Sequence, residues 1–283
     1  MREDYELLDS GGGRKLERFG RYVLARPCSQ AMWLPSRSDS EWRAADASFD
    51  REDGNRWHGR ANLPKEWSIE TAGVKFKLGG TDFGHLGIFP EQRAQWRWMT
   101  NFLSSRPKSP GSPPPSVLNL FAYSGGSTMS AALGGAEVCH LDASKGMVEW
   151  ARENAALNGL ANAPIRWIVD DAHKFMKREI RRGRRYDAVV LDPPTFGRGA
   201  GGETYKIERD LEETLSLVCE LLSPSPLFVL FSSHTPGLSC HVAENVMSQR
   251  FPSAELESGE MLLEGRGLQC PSGIFCRAVF RHL

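Results

Sequence analysis

Acidic side chains and a pair of glycines follow four apolar runs of the chain after residue 116, and these residue types suit ligand binding. Asp142, Asp171 and Asp192 lie at or just beyond the ends of three runs, and Gly125 and Gly126 follow the first. A carboxylate accepts hydrogen bonds from ligand hydroxyls and amines, and glycine lets the backbone turn tightly and approach a ligand. Ligands of open α/β sheets bind beyond the carboxyl ends of the strands, so we expect these segments to form one site.

The segment Asp192-Pro193-Pro194-Thr195-Phe196 carries the most informative pattern. The two prolines fix two φ angles and remove two N–H donors, so they hold Asp192 rigidly at the strand end. Such a corner can accept hydrogen bonds from a substrate amine while Phe196 packs on a planar ring. The alternative interpretation is a proline stop that only ends a buried strand.

Asp142 and Asp171 each allow two interpretations. Asp142 suits two-point hydrogen bonding to a ribose diol, but Asp142 or Ser144 could equally cap the following helix. Asp171 could accept a hydrogen bond from an exocyclic amine such as that of adenine, or it could cap the next helix. After the glycine pair, Ser127 or Thr128 could cap a helix in the same way.

The six cysteines are spread over the chain without Cys-x-x-Cys spacing, which favours neither a zinc site nor a disulfide framework. We interpret them as mostly buried thiols in a reducing compartment, and we expect no metal site. The first residues contain no apolar targeting segment, and no stretch of the chain is apolar enough to span a membrane. We therefore expect a soluble, cytoplasmic protein.

From residue 116 onward, short β-rich apolar runs alternate with helical stretches. This alternation is typical of βαβ units and of a parallel sheet with helices on both faces. The predicted strands are 117–121, 138–141, 165–169, 188–191 and 227–231, and the predicted helices are 127–133, 144–157, 172–182, 208–222 and 241–249. Two further runs, 255–263 and 274–280, predict an antiparallel hairpin that ends the sheet.

The first third of the chain has a different pattern. Short alternating runs at 21–25 and 74–78, broken by Gly and Pro, predict a small β-rich domain over 1–88. This domain could take part in substrate recognition. A helix over 91–103 and a Pro-rich connector complete a second segment, 89–115, and a catalytic domain is expected over 116–283. Six of the eight tryptophans lie in the first 100 residues. They either fill the core of the small domain or form a stacking platform for bases.

The formal net charge is zero, with 35 Lys plus Arg and 35 Asp plus Glu. This balance argues against binding nucleic acid by bulk charge, but it leaves room for a local basic surface. Residues 173–185 carry seven Lys or Arg and one acid. They form either a solvated helix face with cations near its C-terminus or a patch that contacts phosphates.

These motifs together resemble the class I S-adenosylmethionine-dependent methyltransferases. In particular, the chain from about residue 84 onward resembles the bacterial 23S (large-subunit) ribosomal-RNA methyltransferases that act on cytosine C5 or guanine N7, and their uncharacterised relatives. Asn119-Leu120-Phe121-Ala122-Tyr123-Ser124-Gly125-Gly126 is similar to the first motif of the family and Asp192-Pro193-Pro194-Thr195-Phe196 to the fourth. Gly87-Ile88-Phe89-Pro90-Glu91-Gln92-Arg93 resembles a segment that closes over the cofactor, and residues 203–208 resemble a substrate-side loop of the relatives.

The resemblance implies a Rossmann-like class I sheet, S-adenosylmethionine as cofactor, and a role for each matched residue. The first motif would lie against the methionine part of the cofactor, Asp142 would hold the ribose, and Asp171 with Ala172 would form the adenine site. The implied cofactor-binding residues are Phe89, Gln92, Arg93, Asn119, Phe121, Ala122, Tyr123, Ser124, Gly125, Asp142, Ala143, Ser144, Asp171, Ala172 and Asp192. The implied catalytic residues are Asp192, Pro193, Pro194 and Phe196, and the implied substrate residues are Tyr205, Lys206, Ser232 and His234.

One departure from the family pattern bears on the target atom. Methylation of cytosine C5 needs a thiolate that adds to the ring, and here Ser232-Ser233-His234 stands where such relatives carry the cysteine. Cys240 is a weak alternative, because it would lie on the following helix. We therefore expect transfer to a nitrogen, or less favourably to carbon or oxygen, with Asp192 orienting the target. His234 is either a base or an ordinary loop histidine.

RNA, with ribosomal RNA in first place, is the expected substrate and partner, and we expect neither DNA nor a membrane as partner. A small-molecule or protein substrate is the alternative enzyme hypothesis, and a catalytically silent binding module is the alternative class. Monomer and homodimer both stay open.

Overall fold

The computed structural model describes residues 3–51, 54–107, 111–199 and 201–281. The chain divides into two compact units. One consists of Met1–Ala94 with Met261–Ser272, and the other of Gln95–Glu260 with Gly273–Leu283. Part of the predicted Pro-rich connector, Lys108 to Pro110, lies outside the described residues.

The N-terminal unit is built from short strands, as predicted. They are β1 (Tyr5–Gly11), β2 (Arg14–Phe19), β3 (Tyr22–Pro27), β4 (Ala47–Asp50), β5 (Arg56–His58), β6 (Trp67–Thr71) and β7 (Val74–Leu78), with a short helix α1 (Asp39–Arg43) after β3. β1 to β5 form one sheet in chain order, and β6 and β7 form a separate antiparallel pair. One-turn 3-10 helices at Arg60–Asn62 and Pro90–Gln92 complete the unit.

The tryptophans of the first 100 residues favour the core interpretation over the stacking platform. Trp42 and Trp96 are buried, and the other four are half-buried. Within the N-terminal unit, three indole N–H groups serve the protein itself: Trp33 donates to the carbonyl oxygen of Ser10, Trp42 to Asp9, and Trp57 to the carbonyl oxygen of Thr81. Indole groups satisfied in this way stabilise the unit internally.

The second unit, here called the catalytic unit, alternates helices and strands. Its helices are α2 (Arg93–Ser104), α3 (Gly126–Leu133), α4 (Lys145–Leu157), α5 (Ala172–Arg181), α6 (Ile207–Leu221) and α7 (Cys240–Arg250). Its strands are β8 (Ser116–Leu120), β9 (Glu137–Asp142), β10 (Ile165–Val169), β11 (Ala188–Leu191), β12 (Phe196–Arg198), β13 (Thr204–Lys206), β14 (Phe228–Ser233), β15 (Glu255–Leu263) and β16 (Cys270–Val279). The first two residues of α2, the last three of β15 and the first three of β16 are counted in the N-terminal unit.

Seven of these strands form one sheet in the order β10-β9-β8-β11-β14-β16-β15. The five strands from β10 to β14 are parallel, and β16 runs antiparallel to β14, so the predicted α/β sheet with an antiparallel C-terminal end is confirmed. The chain moves outward from β8 to β9 and β10, and it then returns to place β11 on the other side of β8. The reversal makes the gap between β8 and β11 the switch point of the sheet.

Both faces of the sheet are covered, because alternate residues of a strand point to opposite sides. On one face, Phe231 belongs to an apolar core with Phe175 of α5 and Leu215 of α6. On the other face, the ring of Phe228 meets that of Trp98 of α2 with 5.0 Å between centroids. The inner strands β8, β11 and β14 are therefore buried on both sides, which leaves their carboxyl ends as the place where polar groups can collect.

Candidate functional site

The carboxyl ends of β8 and β11 lie side by side at the switch point. Leu120, the last residue of β8, pairs in register with Leu191, the last residue of β11. The next residues, Phe121 and Asp192, therefore leave the sheet at the same level on either side of the gap. The two most informative sequence segments thus begin at adjacent positions, as expected for one site.

The loop after β8 has an unusual backbone. Phe121 and Tyr123 have φ angles of 55° and 49°, and Gly125 has a φ of 89°. Left-handed conformations are costly for residues with a Cβ, and they cluster where a loop must hold an exact shape. The backbone N–H of Ala122 donates to the carbonyl oxygen of Leu141, and that of Gly125 donates to the carbonyl oxygen of Ala122. These bonds fix a tight turn at the carboxyl edge.

Buried side chains of the neighbouring strands and helices also pack against the loop after β8. Asn119 is buried on β8, and its Nδ2 donates to Thr128 Oγ1, which lies 2.8 Å from Nδ1 of His140 on β9. The glycine at 126 is required by packing, since a Cβ there would lie 2.4 Å from the ring of Trp96. The predicted side-chain cap from Ser127 or Thr128 is wrong, because α3 begins after Gly125 without one and Thr128 is used inside the core.

Asp142 lies at the end of β9 and is tied to the loop after β8. Its carboxylate accepts a backbone hydrogen bond from Tyr123 at 2.8 Å on Oδ2 and one from Ser144 at 2.8 Å on Oδ1. Burial raises the pKa of this carboxyl above its usual range, although both hydrogen bonds lower it. Ser144, rather than Asp142, caps α4, because its side chain accepts from the N–H of Met147. Ala143 is half-buried between the two.

Asp171 caps α5, as one of the two interpretations holds. Its side chain accepts a hydrogen bond from the N–H of Lys174 at 2.9 Å, and Ala172 behind it is buried. The neighbouring Asp170 accepts from the N–H of Asp171 and pairs with Arg178. This cap uses only Oδ1 of Asp171. The adenine-site interpretation of Asp171 therefore stays a prediction.

The Asp192 corner has a partly accessible carboxylate. The Asp192 side chain is 25% exposed, and its Oδ1 lies 3.4 Å from Nδ1 of His234 in the segment after β14. Pro193 is buried and Pro194 half-buried. One residue further on, the hydroxyls of Thr195 and Thr235 lie 2.9 Å apart. The corner is therefore linked to the residues after β14 at two points.

β12 and β13 form a hairpin directly after this corner. Phe196 pairs with Lys206 and Arg198 pairs with Thr204. Residues opposite each other in an antiparallel pair share a side, so Phe196, Arg198 and Lys206 lie on one face. Phe196 is 48% exposed, and the guanidinium of Arg198 lies 5.7 Å from the centroid of its ring.

The opposite face of the hairpin packs on the protein. Tyr205 pairs with Gly197, and its ring lies 5.1 Å from that of Phe121. Its hydroxyl lies 3.3 Å from the hydroxyl of Thr214 on α6, and burial raises its pKa to about 12. A further ion pair joins Glu203 to Lys174. The hairpin is thus anchored to the loop after β8, because Tyr205 packs against Phe121 on the buried face of the hairpin.

Two predicted residue sets remain. Because Phe231 pairs with Leu191, Ser232 lies at the level of Asp192 at the carboxyl edge. Ser232 is buried inside β14, opposite Phe275 of β16, because β14 extends two residues beyond its predicted end. Phe89, Gln92 and Arg93 belong to the N-terminal unit. Gln92 and Arg93 are buried there, and the guanidinium of Arg93 lies over the ring of Tyr5 and donates to the carbonyl oxygen of Pro90.

The basic stretch of α5 pairs mostly with acids. Lys177 pairs with Glu213, Arg178 with Asp170, and Arg182 with buried Glu179. This pattern favours the solvated helix face over the phosphate patch. Within the described parts of the chain, no helix has the length and apolarity to cross a membrane, and no cluster of three or more His, Cys, Asp or Glu could hold a metal ion.

Two features were missed by the sequence reasoning, one at the carboxyl edge and one in the N-terminal unit. Arg198 was not singled out, although it shares the exposed face of the hairpin with Phe196. Glu17 and Arg26 were also missed, yet Arg26 donates to the carbonyl oxygen of Gly84, next to the segment 87–93. The short spacing of Phe196 and Arg198 could have predicted the first feature, but no local pattern could have predicted the second.

Comparisons with known proteins follow the same lines. The family described as S-adenosylmethionine-dependent methyltransferase matches residues 24–253. The crystal structure of a SAM-dependent methyltransferase from Agrobacterium tumefaciens is 38% identical, covers 99% of this chain and 91% of its own, and superposes with a TM-score of 0.92.

Curated relatives match over a shorter region. The ribosomal RNA large subunit methyltransferase K/L of Shewanella frigidimarina is 35% identical over 158 residues, or 55% of this chain and 21% of the relative. The enzyme of the same name from Shewanella pealeana is 35% identical over 173 residues, or 60% of this chain and 22% of the relative. The chain therefore spans about a fifth of the length of the curated relatives it matches.

Proposed function

The chain belongs to the S-adenosylmethionine-dependent methyltransferase family, and we propose that it methylates a nitrogen of RNA, with ribosomal RNA as the substrate, without a cysteine nucleophile. The observation that carries this proposal is the Asp192 corner, with its half-accessible carboxylate beside His234 and the exposed ring of Phe196 on the hairpin that follows. The matches to enzymes named for ribosomal RNA support the substrate. A cytoplasmic location follows from that substrate.

The carboxyl edge has the chemistry that the cofactor of the family needs. When bound, S-adenosylmethionine supplies a methyl group activated by a sulfonium centre. Asp142 is held by two backbone N–H groups and is kept partly desolvated, so it suits a neutral diol such as that of the ribose. The turn at 121–125 would lie against the methionine part, and Asp171 with Ala172 would border the adenine. The resemblance also assigns Phe89, Gln92 and Arg93 to the cofactor, and this assignment stays a prediction.

Asp192 orients the target in this proposal. A carboxylate that accepts a hydrogen bond from an N–H of the target directs the nitrogen lone pair, and such alignment is worth several kcal/mol, roughly, in reactions limited by positioning. The prolines at 193 and 194 restrict the backbone at Asp192, so they hold the residue at the strand end. Nδ1 of His234 lies 3.4 Å from Oδ1 of Asp192. In this proposal His234 either keeps a proton beside the carboxylate or accepts one as a base.

A nitrogen target explains why no thiol is needed. Only a carbon such as cytosine C5 requires a covalent adduct with the protein before it becomes nucleophilic. Ser232, at the position where such relatives carry cysteine, is buried in β14. Cys240 begins α7, and burial raises its pKa, which disfavours the thiolate that a nucleophile needs.

The exposed face of the hairpin supports an RNA substrate. Phe196 offers a ring on which a base can stack, while Arg198 and Lys206 on the same face can contact phosphate. Recognition of this kind needs only a few local charges, so it agrees with a net charge of zero.

The test is incubation of the protein with radiolabelled S-adenosylmethionine and, separately, total RNA, protein extract and small metabolites. We expect label in the RNA fraction, and in ribosomal RNA after the RNA is separated by size. Label confined to protein or metabolites would overturn the RNA substrate. Phe196→Ala with Arg198→Ala should raise the KM for RNA about tenfold while leaving cofactor affinity unchanged.

A further inference from the structure

Two cysteines far apart in the sequence meet inside the N-terminal unit. Cys28 follows β3 and Cys270 begins β16, and their sulfur atoms lie 3.2 Å apart across 242 residues of chain. Cys28 is 9% exposed and Cys270 is fully buried. Two thiols at this distance are in hydrogen-bond contact and need only a small movement to become bonded to each other.

The surroundings of the pair differentiate the two thiols. A hydrogen bond from Cys270 and the charge of nearby Lys15 lower the pKa of Cys28, although burial opposes them. The same hydrogen bond and burial raise the pKa of Cys270. Cys28 also has a fixed backbone, since its N–H donates to the carbonyl oxygen of Gly13 at 2.7 Å. Cys28 is therefore the nucleophile of the pair and Cys270 the resolving thiol.

Cys270 lies near the end of the segment 261–272. This segment makes hydrogen bonds to residues of 87–93, which belong to the predicted cofactor site. The segment lies along β1, where the N–H of Leu7 donates to the carbonyl oxygen of Glu264 and the N–H of Arg266 donates to that of Leu7. The carbonyl oxygen of Glu264 also accepts from Arg93 at 3.4 Å, and Ser272 donates to Glu91 at 3.2 Å. The segment thus holds two side chains of 87–93 in place.

We propose that Cys28 and Cys270 form a reversible disulfide on exposure to a hydroperoxide, and that this bond fastens the segment 261–272 to the N-terminal sheet. The Cys28 thiolate attacks the peroxide oxygen, which forms a sulfenic acid and releases water or an alcohol. The Cys270 sulfur then attacks the sulfenic sulfur, which forms the S–S bond and releases water. Two electrons and two protons leave the thiols and reduce the peroxide.

The experiment treats the full, folded chain with a small excess of hydrogen peroxide and then unfolds it in guanidinium chloride with N-ethylmaleimide, which blocks every remaining thiol. The peptides are mapped by mass spectrometry. We expect two of the six cysteines to be protected from the blocking reagent and one cross-linked peptide pair that contains Cys28 and Cys270. Dithiothreitol should restore both thiols. The oxidised protein should melt several degrees higher, because the bond closes a very long loop.

Variants supply the controls. Cys28→Ser and Cys270→Ser should each abolish the cross-link and the rise in melting temperature, whereas Cys219→Ser, a half-buried cysteine on α6, should retain both. Should either serine variant fail to fold, the peptide map of the wild-type chain still decides. Full labelling of both cysteines after peroxide treatment, or a cross-link between other cysteines, would overturn the proposal. None of these outcomes depends on which substrate is methylated.

Discussion

The carboxyl edge of the catalytic sheet and the interior of the N-terminal unit each contain a carboxylate, but the two differ in how far they are exposed. At the edge, the Asp192 side chain is 25% exposed beside His234. In the N-terminal unit, the Glu17 side chain is fully buried, and it accepts hydrogen bonds from Tyr5 at 3.0 Å and from Arg26 Nε at 2.8 Å. Lys15 lies 3.4 Å from the same carboxylate.

The difference separates a group that a substrate can reach from one that it cannot. A buried carboxylate whose oxygens are satisfied by protein donors contributes to stability or to positioning, and its loss leaves charges without compensation. A half-exposed carboxylate at a switch point can exchange its partners for a ligand. Substitutions at the edge should therefore reduce activity without unfolding the chain, and substitutions in the buried cluster should do the reverse.

The largest effect is expected at the edge. Asp192→Ala should reduce methyl transfer by about 10³-fold or more, because the target loses the group that orients it. Its free energy of unfolding should stay within about 0.5 kcal/mol of the wild type. Transfer of labelled methyl groups and denaturant unfolding measure the two quantities. Full transfer by the variant would remove Asp192 from the proposed mechanism.

The buried cluster should show the opposite result. Glu17→Gln should lower the free energy of unfolding by about 3–5 kcal/mol, since Arg26 would remain buried without its counter-charge. The double variant Glu17→Met with Arg26→Met should regain part of that loss, because no charge is then left behind. Urea titrations of the three chains provide the measurement. A loss below about 1 kcal/mol for Glu17→Gln would mean that the buried cluster stabilises the protein no more than an exposed ion pair does.

A smaller effect is expected for the residue predicted to hold the ribose. Asp142→Ala should weaken cofactor binding about 10- to 100-fold, the range for hydrogen bonds to a charged group. Ser239→Ala is the control, because Ser239 caps α7 and its loss should lower stability by about 1 kcal/mol at unchanged affinity. Isothermal titration calorimetry measures both. Unchanged affinity in Asp142→Ala would contradict the ribose assignment.

Much of the catalytic unit could be predicted from the sequence, because its order is local. A strand buried on both faces is a short apolar run, as Ala188–Leu191 is, and this strand was predicted to the residue. The partly exposed edge strand Ile165–Val169 was also predicted to the residue. The Asp-Pro-Pro pattern at 192–194 likewise encodes its own rigid backbone. Motifs of this kind carry the family resemblance because they combine an element end with a functional side chain.

The rest depended on contacts that no local pattern carries. Nothing near Glu17 in the sequence indicates that Arg26 and Tyr5 will surround it, and Cys28 and Cys270 meet across almost the whole chain. The left-handed conformations of Phe121 and Tyr123 were equally hidden, since neither residue type favours them. Capping by Thr128 was predicted wrongly because α3 begins two residues earlier, at Gly126, so Thr128 lies inside the helix and its hydroxyl contacts the buried His140.

A buried histidine of the catalytic unit gives a pH-dependent prediction. Burial, aided by the charge of Arg152, lowers the pKa of His140 to about 3, whereas an unfolded histidine titrates near about 6.5. Between these values the unfolded chain binds one more proton, so stability is full above about pH 6.5 and falls by up to about 1.4 kcal/mol per pH unit below it.

Denaturant unfolding between pH 7 and pH 4 should reveal this slope in the wild type. The variant His140→Gln should have a shallower slope, because the proton that the unfolded chain takes up at residue 140 is removed. An identical slope in both chains would mean that His140 is not held neutral in the folded protein.

The smallest effect is expected on the basic face of α5. Lys177→Ala should change the KM for RNA less than about twofold, because Lys177 is an exposed residue already paired with Glu213. Arg198→Ala on the hairpin provides the contrast, with a larger rise in KM. Steady-state kinetics at two salt concentrations measures both. A larger rise for Lys177→Ala than for Arg198→Ala would move the RNA contact from the hairpin to α5.

The most direct test of the central claim is nucleoside mass spectrometry of ribosomal RNA methylated by the wild-type chain, with Asp192→Ala as the blank. We predict a new nucleoside that carries its methyl group on a nitrogen and is absent from the blank. A 5-methylcytidine product, or an RNA with no new methylated nucleoside, would contradict the account.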